Sequence, residues 1–262
     1  LTYTIAVAGK GGSGKTSLAS LIIRYLVNKG EGPVLAVDAD ANANLGEGLG
    51  LSVGRTIGTI IATFNDEKMG IPTGLTKEAY LQIKLNESIV ESRGVDLVTM
   101  GRGEGAACYC YPNNVLRKFV EELSANYRYV VIDNEAGLEH LSRRTSRAID
   151  ELLLVSDHSV KGVRTLARIK NLVTELKLAV AHQTVVINLV PDSLDSRVAT
   201  ELDRLELKAG VILPYDETIK EHDLEQRPLL ELPDSSTAAK AVAGLMERII
   251  HQNPSKIKGA VK

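Results

Sequence analysis

"GKGGSGKTS", residues 9–17, follows the apolar run TIAVA (4–8) and opens a stretch whose apolar residues recur at helical spacing. It satisfies G-x-x-x-x-G-K-[ST], with Gly9, Gly14, Lys15 and Thr16 in the required places. In such a loop the glycines let backbone N–H groups turn inward around phosphates, and the following helix adds the positive end of its dipole. Gly11, Gly12, Ser13 and Ser17 complete the cradle. Lys15 is expected to reach the β- and γ-phosphates, and the Thr16 hydroxyl to ligate Mg²⁺.

The rest of the chain repeats the strand–helix alternation that this loop begins. Further apolar runs stand at 34–38, 95–100, 129–133, 151–156, 184–190 and 210–213. They lack polar alternation, which suits strands covered on both faces of a parallel sheet. Between them TSLASLIIRYLVNKG, VLRKFVEELSA and VRTLARIKNLVTEL have helical periodicity, as does GLMERII near the end. The expectation is an α/β fold, a doubly wound, mostly parallel sheet with helices on both faces, as in P-loop NTPases. Residues 41–93 read as an insertion with short helices, and 1–262 as a single domain.

Composition narrows the function. The 262 residues carry a formal net charge of −2, so bulk electrostatics favour neither nucleic acid nor an anionic membrane. No run of eighteen apolar residues and no signal segment is present, which predicts a cytoplasmic protein without a stable membrane anchor. Two cysteines are too few for a secreted disulfide scaffold.

Lys10 adds a second lysine to the loop. The K-G-G-x-G-K-T form resembles the deviant P-loop of the MinD/ParA and nitrogenase iron protein ATPases. That resemblance implies a nucleotide-dependent homodimer in which Lys10 crosses to the partner's nucleotide. VDAD places Asp38 at the end of one apolar run and Asp40 just beyond it. By resemblance Asp38 supports the Mg²⁺ shell and Asp40 positions the attacking water. YVVIDNEAG ends another run with Asp133, a Walker B carboxylate, and Gly137 is a candidate γ-phosphate sensor. Asn134 and Glu135 depart from the residues usual in relatives. No Asn-Lys-x-Asp follows a strand, which favours ATP over GTP. Asn188 stands where relatives read adenine, and Pro214 and Asp216 in LPYDE resemble their adenine-flanking loop.

Cys108 and Cys110, in AACYCYPNN, are the chain's only cysteines. Spacing alone leaves two readings open: small buried apolar residues, or half of a four-thiolate site completed by a symmetry-related chain. Four sulfurs suit Zn²⁺, or Ni²⁺ in square-planar form. GRGEGAACYCYPNN, DNEAGLEHLSRR and VSDHSVKGVRTLARI resemble the CooC-type nickel-insertion ATPases of carbon monoxide dehydrogenase maturation, and their acetyl-CoA synthase relatives. The resemblance implies Ni²⁺ or Zn²⁺ held across the dimer for one of those client enzymes. The rivals are a MinD/ParA-type positioning ATPase acting on a membrane or DNA, and an iron–sulfur scaffold or electron-transfer ATPase. His140 reads as a packing or signalling residue rather than a ligand, and Arg143 and Arg144 as a solvated or interface face.

Overall fold

The computed structural model describes residues 2–66, 71–102, 118–135 and 148–253. The strands are β1 (Tyr3–Gly9), β2 (Val34–Ala39), β3 (Val95–Thr99), β4 (Tyr129–Asn134), β5 (Ile149–Asp157), β6 (Val180–Val190) and β7 (Ala209–Pro214). They form one sheet in the order β3-β2-β4-β1-β5-β6-β7, and every neighbouring pair is parallel. The doubly wound architecture expected from the sequence is the one found. β1 lies centrally, with β2 to β4 on one side and β5 to β7 on the other. Its C-terminal end therefore opens where the winding reverses, which is where such sheets bind ligands.

The helices are α1 (Lys15–Asn28), α2 (Leu45–Leu49), α3 (Ile57–Asp66), α4 (Lys77–Asn86), α5 (118–124), α6 (Val160–Glu175), α7 (Ser196–Arg204), α8 (Glu217–Leu224) and α9 (Thr237–Gln252). Alternate residues of each strand feed two separate cores. Ile5 and Val7 meet Leu18, Ile22 and Leu26 of α1 and Val242, Leu245 and Met246 of α9. Ala6 and Ala8 belong to the opposite layer, with Ile57 of α3, Leu81 of α4 and Val163, Leu166 and Ile169 of α6. Ser159 caps α6 by accepting from the Gly162 N–H at 3.0 Å, which fixes where that helix starts.

The insertion carries short helices, α2 to α4, as expected. Three features differ from the sequence reading. β5 begins at Ile149, so Asp150 and Glu151 lie buried within a strand. The Thr4 N–H donates to Asp150 at 2.7 Å and the Thr184 hydroxyl to Glu151 at 2.6 Å, which makes burial tolerable. β6 starts at Val180, four residues before its apolar run, because backbone pairing with β5 continues past the covered part of the sheet. α7 and α8 were not expected at all. No helix among the described residues is long and apolar enough to cross a membrane.

Candidate nucleotide-binding site

The loop after β1 is shaped by its own backbone. Gly14 caps α1 at φ 80°, a left-handed conformation that glycine adopts without strain. A Cβ there would also lie 2.3 Å from Asn188 Nδ2, so the loop needs glycine for space as well. The Ser13 hydroxyl and the Lys15 ammonium both donate to the Lys10 carbonyl, at 2.8 and 3.2 Å. Lys15 is buried, with its charge held inside the loop's curve. Lys10 points elsewhere: its Nζ pairs with Asp157 Oδ2 at 3.1 Å, at the end of β5. Asp157 also accepts from the Ser159 hydroxyl at 2.5 Å.

Two carboxylates stand beside this loop. Asp38 and Asp133 are register partners at the C-terminal ends of β2 and β4, and both are buried. Asp133 Oδ2 accepts the Thr16 hydroxyl at 2.6 Å, while Oδ1 is buried without a partner. Burial pushes the Asp133 carboxyl up to about 7, and the Thr16 hydrogen bond and Lys15 offset it only in part. Burial likewise raises Asp38 to about 6, against opposing hydrogen bonds from the N–H groups of Leu45 and Asp40. A hydroxyl beside a buried carboxylate with one unsatisfied oxygen fits Mg²⁺, a hard cation that prefers oxygen ligands. Asp40 is half-buried, and its Oδ1 accepts from the Asn42 N–H at 2.8 Å.

The loop opens on a cavity of about 500 Å³ lined by Gly14, Thr16, Ser17, Asn188, Pro214 and Asp216, among others. Asn188 arrives there through an irregularity that the sequence did not announce. The β6–β7 register shifts between Ile187 and Val190, and Leu189 takes φ 60°. This bulge turns Asn188 toward the loop, where its amide donates to the Ser13 carbonyl at 2.9 Å. One of its donors is thus engaged by the loop itself. Asp216 lines the cavity while its oxygens accept from Ser236, Thr237 and the N–H groups of Ala238 and Thr218. It joins α8 to α9 beneath the cavity wall that Pro214 continues. Ser20, which the sequence reading passed over, also lines the cavity. Cys108, Cys110, Gly137, His140, Arg143 and Arg144 lie outside the described residues.

A buried loop lysine, a hydroxyl paired with a strand-end carboxylate and a central parallel sheet define a P-loop nucleotide site. The AAA_31 family model, an AAA domain, matches residues 2–186, and the chain belongs to this family of P-loop ATPases. An uncharacterised ATP-binding protein of Methanocaldococcus jannaschii is 42% identical over 250 residues, spanning 95% of this chain and 98% of its own length. The carbon monoxide dehydrogenase accessory protein CooC of Rhodospirillum rubrum is 27% identical over 260 residues, spanning 94% and 97%. The septum site-determining protein MinD of Pyrococcus horikoshii, solved with Mg-ADP, superposes with a TM-score of 0.70 at 21% identity, covering 98% and 99%.

Proposed function

We propose that the chain is a single-domain, MgATP-hydrolysing homodimer. In this reading it binds Ni²⁺ or Zn²⁺ through Cys108 and Cys110 and passes nickel to carbon monoxide dehydrogenase or acetyl-CoA synthase. The observation that carries this reading is the Cys-x-Cys pair in a chain alignable with CooC over nearly all of its length. In the reaction, residues 9–17 wrap the phosphates and Lys15 meets the β- and γ-oxygens. Asp40 orients the attacking water, and Lys10 leaves Asp157 to serve the partner's nucleotide. Thr16 and Asp133 would hold Mg²⁺, with Asp38 supporting its shell; the cation supplies positive charge to the phosphate oxygens. Asn188 and Pro214 flank the base, and Asp216 holds their wall in place.

The test is a double substitution, Cys108→Ser/Cys110→Ser, titrated with Ni²⁺ and Zn²⁺. Tight metal binding should disappear while MgATP binding persists. Metal held as tightly as in the parent chain would return the cysteines to a packing role. The likeness to MinD favours a second reading, a positioning ATPase of the MinD/ParA kind acting on a membrane or DNA. Nucleotide-dependent co-sedimentation with anionic vesicles, or retention on DNA, would select it. An iron–sulfur scaffold would announce itself by visible absorption.

A further inference from the structure

The β6–β7 side of the cavity carries a tyrosine that neither the loop motif nor the proposed reaction uses. Tyr215 follows Pro214 directly, at the turn from β7 into α8, and contributes to the cavity wall. It is 41% exposed, and among the described residues it is the one phenylalanine or tyrosine that is exposed rather than buried or half-buried. A single exposed apolar side chain is ordinary on a protein surface. This one is set apart by where it stands and how firmly it is held.

The residue is tied at both ends. Its backbone N–H donates to the Val190 carbonyl at 2.8 Å, which extends the β6–β7 ladder one residue past Pro214. Strand alternation then puts Tyr215 on the side of Leu213, which belongs to the core of α1 and α9 and also lines the cavity. At the other end the phenol donates to Glu217 Oε2 at 2.9 Å, and Lys220 Nζ donates to Glu217 Oε1 at 2.6 Å. A side chain fixed in this way has little freedom left to lose when a ligand meets it. Its hydroxyl is engaged by α8, so the part left for the cavity is the ring. Asn188 and Pro214, proposed to flank the base, belong to the same wall. An amide such as that of Asn188 matches the edge of a base, whereas an aromatic ring matches its face.

We infer that Tyr215 is a base-binding residue whose ring stacks on the base of the bound nucleotide at the mouth of the cavity. Every base has such a face, so the contact raises affinity without selecting among bases. The inference rests on the proposed nucleotide site, and the test separates the two. The full chain is titrated calorimetrically with ATP and with tripolyphosphate in Mg²⁺. Tyr215→Ala should weaken ATP binding about tenfold, equivalent to about 1.4 kcal/mol, and leave tripolyphosphate within about twofold. Tyr215→Phe, which keeps the ring and loses the bond to Glu217, should stay within about threefold of the parent chain for ATP. The chain has no tryptophan, so Tyr215→Trp creates a single fluorescent reporter at this position. Its emission should be quenched by ATP and unchanged by tripolyphosphate. Undiminished ATP affinity in Tyr215→Ala, an equal loss in Tyr215→Phe, or an indole that ATP does not quench would each overturn the inference. Binding of tripolyphosphate by the parent chain would then leave the phosphate site standing. A parent chain that binds neither ligand would overturn both.

Discussion

Lys10 and Lys15 leave the same loop toward different partners, and their fates differ accordingly. Lys15 is buried against the Lys10 carbonyl, inside the curve where phosphates would sit. Lys15→Ala should lower ATP turnover by at least about a hundredfold, the scale of losing one preorganised charge. Phosphate release measured at saturating MgATP checks it, and near-normal turnover would remove Lys15 from the chemistry. Lys10 is partly exposed and tied to Asp157 in its own chain. Such a pair contributes only about 0.2–1 kcal/mol, weak enough to be exchanged for a partner's phosphates. Asp157→Asn should therefore let the dimer form at lower nucleotide concentration, while Lys10→Ala should bind ATP and stay monomeric. Sedimentation with a non-hydrolysable analogue reads both; a normal dimer in Lys10→Ala would make Lys10 a local charge. The motif identified Thr16 and Asp133 separately. Their 2.6 Å pairing across 117 positions comes from sheet register, which no local spacing encodes.

At the scale of elements, the strands and long helices were legible because each has an apolar face to bury. α7 and α8 were not. α7 buries Val198 and Leu202 with a glutamate between them, and α8 buries only His222 while Leu224 faces solvent. α8 stands on its cap instead, and Asp216 caps it while also accepting from the start of α9. Burial opposes the Asp216 charge, but hydrogen bonds from Ser236, Ala238, Thr237 and Thr218 outweigh it and hold the carboxyl well below the usual range. A carboxylate lowered in the folded state adds stability above its unfolded value near 4, and that contribution fades as pH falls toward the folded value. Asp216→Ala should thus cost about 2–3 kcal/mol at neutral pH. The deficit should shrink in denaturant melts below about pH 4. A pH-independent deficit would assign the loss to packing instead.

At the scale of the whole molecule, the central sheet brings together groups far apart in the chain. Loop 9–17, Asp38, Asp133 and Asn188 come from four different strand ends and meet around β1. Asp40 should act downstream of binding. Asp40→Ala is expected to bind MgATP yet turn it over at least about a hundredfold more slowly, accumulating an ATP-bound dimer. Stopped hydrolysis with retained dimerisation, followed by phosphate release and sedimentation, tests that division. In the proposed function the cysteines follow the same logic of incompleteness, since two thiolates from one chain would leave Ni²⁺ or Zn²⁺ under-coordinated. The most direct test of the account is therefore the metal-to-protein ratio of size-resolved species, loaded with Ni²⁺ or Zn²⁺ with and without a non-hydrolysable ATP analogue. The account predicts one ion per two chains, confined to the dimer and lost in Cys108→Ser/Cys110→Ser; one ion per monomeric chain would contradict it.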